Sequence, residues 1–132
     1  MSEVRPGQGR KGAGSFFGRR KGKTLRPQQE AALQTRLPAL ILDLSKSQPG
    51  DISTLFARPE PHVRLEIGFG GGEHLLHRMR EYPGWNFIGV EPFVNGMAKL
   101  VTALSPDADN LRLFDQDAAL LLDWLPACSI DH

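Results

Sequence analysis

The sequence predicts an α/β protein, the amino-terminal half of a mainly parallel sheet with flanking helices. Three observations lead there. Short apolar runs rich in branched and aromatic residues recur at Val63–Ile67, Asn86–Val90 and Leu111–Phe114. Amphipathic stretches long enough for helices separate these runs, and a glycine-rich turn follows the first of them. Strands that alternate with helices are joined by crossovers, which place the strands parallel and cover both faces of the sheet.

The elements follow in order. Residues 1–23 hold six of the fourteen glycines, few aliphatic side chains and no periodicity, so they are expected to stay disordered until bound. Pro27 suits a first helical position, and Leu33, Leu37, Leu40, Ile41 and Leu44 recur at helical spacing, with Pro38 expected to kink or split the helix. Residues 45–61 contain three prolines and one glycine and read as a linker with one short turn at 52–56. Helices are expected over about 72–82 and 94–104, with a third beginning near Ala118. Residues 129–132 would open a fourth strand. The expected organisation is a basic arm over 1–26, a helix and linker over 27–61, and a partial α/β domain over 62–132. A half sheet leaves an unpaired edge, so the chain alone is expected to be marginally stable or prone to aggregate.

Of the 132 residues, 40% are apolar and 23% charged, enough for one modest core. No stretch approaches the roughly 18 apolar residues of a membrane helix, and the amino terminus lacks a signal-peptide run, so no membrane association and a cytoplasmic location are expected. Cys128 is the single cysteine, without a partner for a disulfide or zinc site, and is read as a half-buried small apolar residue. His62, His74 and His77 are read as surface or boundary residues, and no metal site is expected. Trp85, Phe87, Phe114 and Trp124 are assigned to the core, whereas Phe16 and Phe17 are candidates for stacking on a base.

The formal charge of +1 hides an asymmetry: residues 1–26 carry eight basic residues and one acid, and the remainder eight basic residues and fourteen acids. A basic arm on a mildly acidic body suits a polyanionic partner, held largely by counterion release. Arg19, Arg20, Lys21 and Lys23 form its densest cluster.

Chemistry concentrates in Leu65-Glu66-Ile67-Gly68-Phe69-Gly70-Gly71-Gly72, between the first strand and the next helix. Glycines such as Gly68 and Gly70 let the backbone turn sharply and approach a ligand. A dinucleotide G-x-G-x-x-G beginning at Gly68 needs glycine at position 73, where Glu73 stands. The acid before the loop, Glu66, disfavours a diphosphate and suits a ligand bearing positive charge. Glu91, at the carboxyl end of the second strand, can accept both hydroxyls of a ribose. Asp117, just past the third strand, can reach an adenine edge, although Asp115 and Asp117 are also plausible helix caps.

These residues resemble a known family, the bacterial tRNA (guanine-N7-)-methyltransferases of the class I S-adenosylmethionine-dependent type. The resemblance covers about residues 15–132 and rests on Gly18-Arg19-Arg20-Lys21-Gly22-Lys23-Thr24-Leu25-Arg26, the glycine loop, and Gly89-Val90-Glu91-Pro92. It implies a Rossmann-like methyltransferase fold and methyl transfer from S-adenosylmethionine to a guanine in the tRNA variable loop. It also implies that Glu66, Gly68, Gly70, Glu91 and Asp117 bind the cofactor and that Arg19, Arg20, Lys21 and Lys23 meet RNA. Members of the family continue into a Phe-Pro-Asp-Pro-Trp segment with a catalytic aspartate. That motif does not occur in the 132 residues, so the chain is expected to be a piece truncated at its carboxyl end, and neither Asp131 nor His132 is given a catalytic role. Two other readings differ in class: a non-catalytic RNA-binding protein with a vestigial cofactor fold, and a nucleotide-dependent oxidoreductase, which Glu73 disfavours.

Overall fold

The computed structural model describes residues 24–132. Three strands, β1 (Val63–Ile67), β2 (Asn86–Val90) and β3 (Leu111–Phe114), form a parallel sheet in the order β1-β2-β3. Val63 pairs with Asn86 and Ile67 with Val90, while Phe87 pairs with Leu111 and Val90 with Phe114, so the carboxyl ends of the strands lie level. The helices are α1 (Pro27–Thr35), α2 (Leu37–Leu40), α3 (Glu73–Glu81), α4 (Val94–Ala103) and α5 (Ala118–Trp124).

Side chains alternate across the sheet and build a core on each face. On one face Phe87, Leu111 and Leu113 meet Leu75 of α3 and Met97, Leu100 and Val101 of α4, with Ala32 and Leu40 outside them. On the other, Val63, Ile88, Val90 and Phe114 meet Leu121 of α5, together with Ile52 and Phe56 around the 3-10 turn Ile52–Leu55. The central strand β2 is buried at every position, which explains its unbroken apolar reading. This is the layered arrangement of a Rossmann-like fold. All three strands fall where the sequence predicts them, and α3, α4 and α5 differ from expectation by a residue at most at the ends compared.

The amino-terminal helix needs a correction. The expected helical spacing runs through Leu44, but α1 ends at Thr35, a second short helix starts beside Pro38, and helix stops at Leu40. Ile41 then forms a parallel bridge with Leu113, and the Leu42 amide donates to the Leu113 carbonyl at 2.8 Å. The edge of β3 offered unpaired backbone groups, and joining it also buries Leu42 in the second core. Arg36, at the α1–α2 junction, donates to the carbonyls of Val101, Leu104 and Ser105 at 2.9, 2.6 and 2.7 Å. A cation there satisfies orphan carbonyls and opposes the negative end of the α4 dipole.

At the free edge of β1, the Asp131 amide donates to the Val63 carbonyl and the Leu65 amide to the His132 carbonyl. The residues expected to open a fourth strand therefore lie along β1. Phe87 and Phe114 are buried, and Trp85 and Trp124 pack at the margins of the two cores. Cys128 is exposed rather than half-buried, at a φ of 58°. Among the described residues, no helix is long and apolar enough to cross a membrane, and no cluster of potential metal ligands occurs. Arg19, Arg20, Lys21, Lys23, Phe16 and Phe17 lie outside the described residues.

Candidate cofactor site

The site is built around the turn between β1 and α3. The Gly68 amide still donates to the Val90 carbonyl at 2.7 Å, so the turn leaves the sheet from a fixed point. Gly68, Gly70 and Gly72 have φ values of 72°, 61° and 87°, a region that L side chains rarely adopt. Between them Phe69 turns inward and is buried over Gly89, where a β-carbon would meet the Phe69 ring. α4, whose side chains share a core with Phe69, also packs closely against the loop. A β-carbon at Gly96 would run into the Gly70 carbonyl oxygen. Above Gly68 and Gly70 there is open space, so one side of the loop is packed and the other is free for a ligand.

Glu91, at the end of β2, is 8% exposed. One carboxylate oxygen accepts from the Gly70 amide at 2.7 Å and the other from the Phe93 amide at 3.0 Å. Sequence reasoning missed this role: Glu91 clamps the glycine loop to the start of α4. The Gly70 amide is thereby engaged by a carboxylate, where a diphosphate-binding loop would present it to the ligand. Each carboxylate oxygen has a second acceptor position, so the clamp leaves Glu91 able to accept hydroxyl groups.

Glu66 lies on the β1 face toward α3, with its side chain 21% exposed. Its two oxygens stand 3.2 and 3.3 Å from His74 Nδ1 in the first turn of α3. Reading His74 as a surface residue was right about exposure and missed its partner. Beside it, Glu73 accepts from Lys99 Nζ of α4 at 2.8 Å, and that lysine holds the Glu73 carboxyl below its ordinary range. Asp117 caps α5, accepting from the Ala119 amide at 3.0 Å, and its side chain is at the surface. Glu66, Glu91 and Asp117 thus all stand at the carboxyl ends of the strands, where ligands bind in open α/β sheets. The Glu91 clamp touches the glycine loop, whereas Asp117 sits at the separate β3–α5 junction.

The described chain begins beside this end of the sheet. Thr24 and Arg26 line a groove of about 480 Å³ with Gln29, Asn95 and Lys99, and Lys99 also borders Gly71. Leu25 is buried and anchors the start of α1 there.

A family model described as "Putative methyltransferase" matches residues 60–132. Among curated relatives, a tRNA (guanine-N(7)-)-methyltransferase of Chelativorans sp. (strain BNC1) is 60% identical over 119 residues, covering 89% of this chain and 51% of the relative. One of the same name from Rhizobium meliloti (strain 1021) is 54% identical over 133 residues, covering 100% of this chain and 56% of the relative. A third, from Bartonella quintana (strain Toulouse), is 55% identical over 120 residues, covering 89% and 52%. The chain spans about half the length of these relatives. The family model covers more than half of the chain, and the chain therefore belongs to the methyltransferase family that this model describes.

Proposed function

We propose that the protein binds S-adenosylmethionine at the β1–α3 loop and serves in methyl transfer to N7 of a guanine in tRNA. The observation that carries the reading is the engagement of the Gly70 amide by Glu91. A loop so occupied, with a second carboxylate at Glu66, repels a diphosphate and suits a ligand that brings cationic groups and a ribose.

The residues present fit that ligand. Glu66 would hold the ammonium group, Glu91 the ribose hydroxyls, and the backbone at Gly68 and Gly70 the flank of the ligand, with Asp117 toward the adenine. When bound, S-adenosylmethionine supplies an electrophilic methyl group on its sulfonium. Guanine N7 already carries a lone pair, so no side chain is required to create the nucleophile, and this chain's contribution is to hold and align the reactants. N7 lies on the Hoogsteen edge, accessible in an unstacked loop base. No catalytic side chain is assigned among these residues. The basic arm, with Arg19, Arg20, Lys21 and Lys23, would hold tRNA phosphates. Its point of departure at Thr24 beside the Lys99 groove roots it within a few residues' reach of the loop. A cytoplasmic setting belongs to the same reading.

The test is calorimetric titration of the purified chain with S-adenosylmethionine and, separately, NAD. Saturable binding of the first and none of the second is expected, with Glu66→Gln weakening affinity by about tenfold through loss of a charge-assisted hydrogen bond. Binding of NAD alone would overturn the reading. Retained RNA binding by a folded chain that ignores both ligands would favour a vestigial RNA-binding protein.

A further inference from the structure

The pairing of His74 with Glu66 has no role in the cofactor contacts described above. Glu66 is the carboxylate assigned to the ligand's ammonium group, and His74 Nδ1 stands within 3.3 Å of both its oxygens. Other charged groups nearby have different partners. Lys99 of α4 holds Glu73, and on α3 itself His77 and Arg78 both face Glu81, at 3.5 and 2.9 Å. Arg64, two residues before Glu66 on β1, lies over the rings of Tyr82 and Trp85 at the far end of α3. At the end of β2, Glu91 is held by the Gly70 and Phe93 amides. Among the described residues, His74 alone is within ion-pair distance of Glu66.

We propose that His74 is a positioning residue for Glu66 that couples cofactor affinity to proton binding. The inference rests on the cofactor reading above. A neutral imidazole with its proton on Nδ1 donates to the carboxylate and fixes its orientation while leaving its negative charge intact for the ligand's ammonium group. A protonated imidazole cancels that charge and competes for the same oxygens. Imidazole is the side chain type best suited to proton exchange near neutral pH. By reciprocity, a cationic ligand that binds Glu66 expels the proton from His74.

The measurement is titration of the full chain with S-adenosylmethionine at about pH 5.5 and about pH 7.0, between which the ligand's α-amino group stays largely charged and carboxylates stay largely ionised. Affinity is expected to be about threefold to fivefold weaker at the lower pH, the size of a partly exposed ion pair. In His74→Gln, whose amide can still donate to Glu66, the two affinities should be equal. Calorimetry near pH 6 in buffers of different ionisation enthalpy should register proton release on binding by the wild type and none by His74→Gln. In the ligand-free chain, Glu66→Gln should move the His74 ring resonances and leave those of His77 in place. A pH ratio or proton release unchanged in His74→Gln, no pH dependence in the wild type, or unmoved His74 resonances would overturn the inference while the cofactor reading stood. A folded wild type that binds no S-adenosylmethionine at either pH would overturn that reading and this inference with it.

Discussion

The two ends of the sheet solve opposite problems. At the amino ends of the strands, two buried asparagines and an arginine tie loop to strand. Asn86 is fully buried, donating to the Arg58 carbonyl at 2.8 Å and accepting from the Glu60 amide at 2.7 Å. Asn110 donates to the Trp85 carbonyl, and Arg58 binds Asp109, Glu60 and the Pro83 carbonyl. At the carboxyl ends, three glycines hold left-handed backbone, open space lies above Gly68 and Gly70, and among the described residues Glu66 pairs with an exposed imidazole alone. Satisfied polar groups lock a fold, whereas acceptors with room beside them await a ligand. The contrast separates the end that polar contacts close from the end where the proposed cofactor site lies.

The largest effect on stability should come from Asn86→Ala. It strips two hydrogen bonds, leaves a part-buried amide and carbonyl without partners and opens a gap at a fully buried position, for an expected loss of about 3 kcal/mol in urea unfolding. The fraction that remains folded should bind S-adenosylmethionine as the wild type does, and weakened binding there would erase the distinction between the ends. Next comes Gly96→Ala, which drives a β-carbon into the Gly70 carbonyl. An overpacked contact of this kind should cost about 2 kcal/mol. Unlike the first variant it should also reduce cofactor affinity at least about tenfold, because the loop must move. Normal affinity in a destabilised Gly96→Ala protein would show that the loop's position does not govern binding.

The smallest effect concerns acid. The Val63 amide, with help from His62, holds the Asp131 carboxyl below its ordinary range, and the Ser53 amide does the same for Asp51. A carboxyl depressed in the folded state stabilises it above the unfolded-state value near about pH 4, and that contribution disappears as pH falls through the lower folded value. The urea midpoint should therefore drop between about pH 5 and about pH 3, and the drop should be shallower in Asp131→Asn. An identical drop in that variant would show that the contact at the β1 edge carries no share of acid stability.

Much of this was legible in the residues because it depends on local pattern. The strands are continuous apolar runs bounded by turn signals, and their limits were read correctly from sequence. The positions of Glu66, Glu91 and Asp117 at or just past the strand ends were equally visible, since strand limits and glycine turns are local signals. The amino-terminal segment was less legible. Leu40, Ile41 and Leu44 fit a helical period, but the open edge of β3, about 70 residues away in sequence, drew Ile41 and Leu42 into extended pairing.

What the sequence alone determined is the α/β class, the order of its elements and the chemical character of the loop, because apolar periodicity and glycine placement act within a few residues. Tertiary structure decided the rest. Glu91 became the clamp on Gly70 because β2 ends beside the loop, His74 found Glu66 because α3 turns back over β1, and Arg36 reached the end of α4 because α1 packs on it. Each of these contacts joins groups from different elements, and their separation in space is set by how the layers pack, which residue spacing along the chain does not encode.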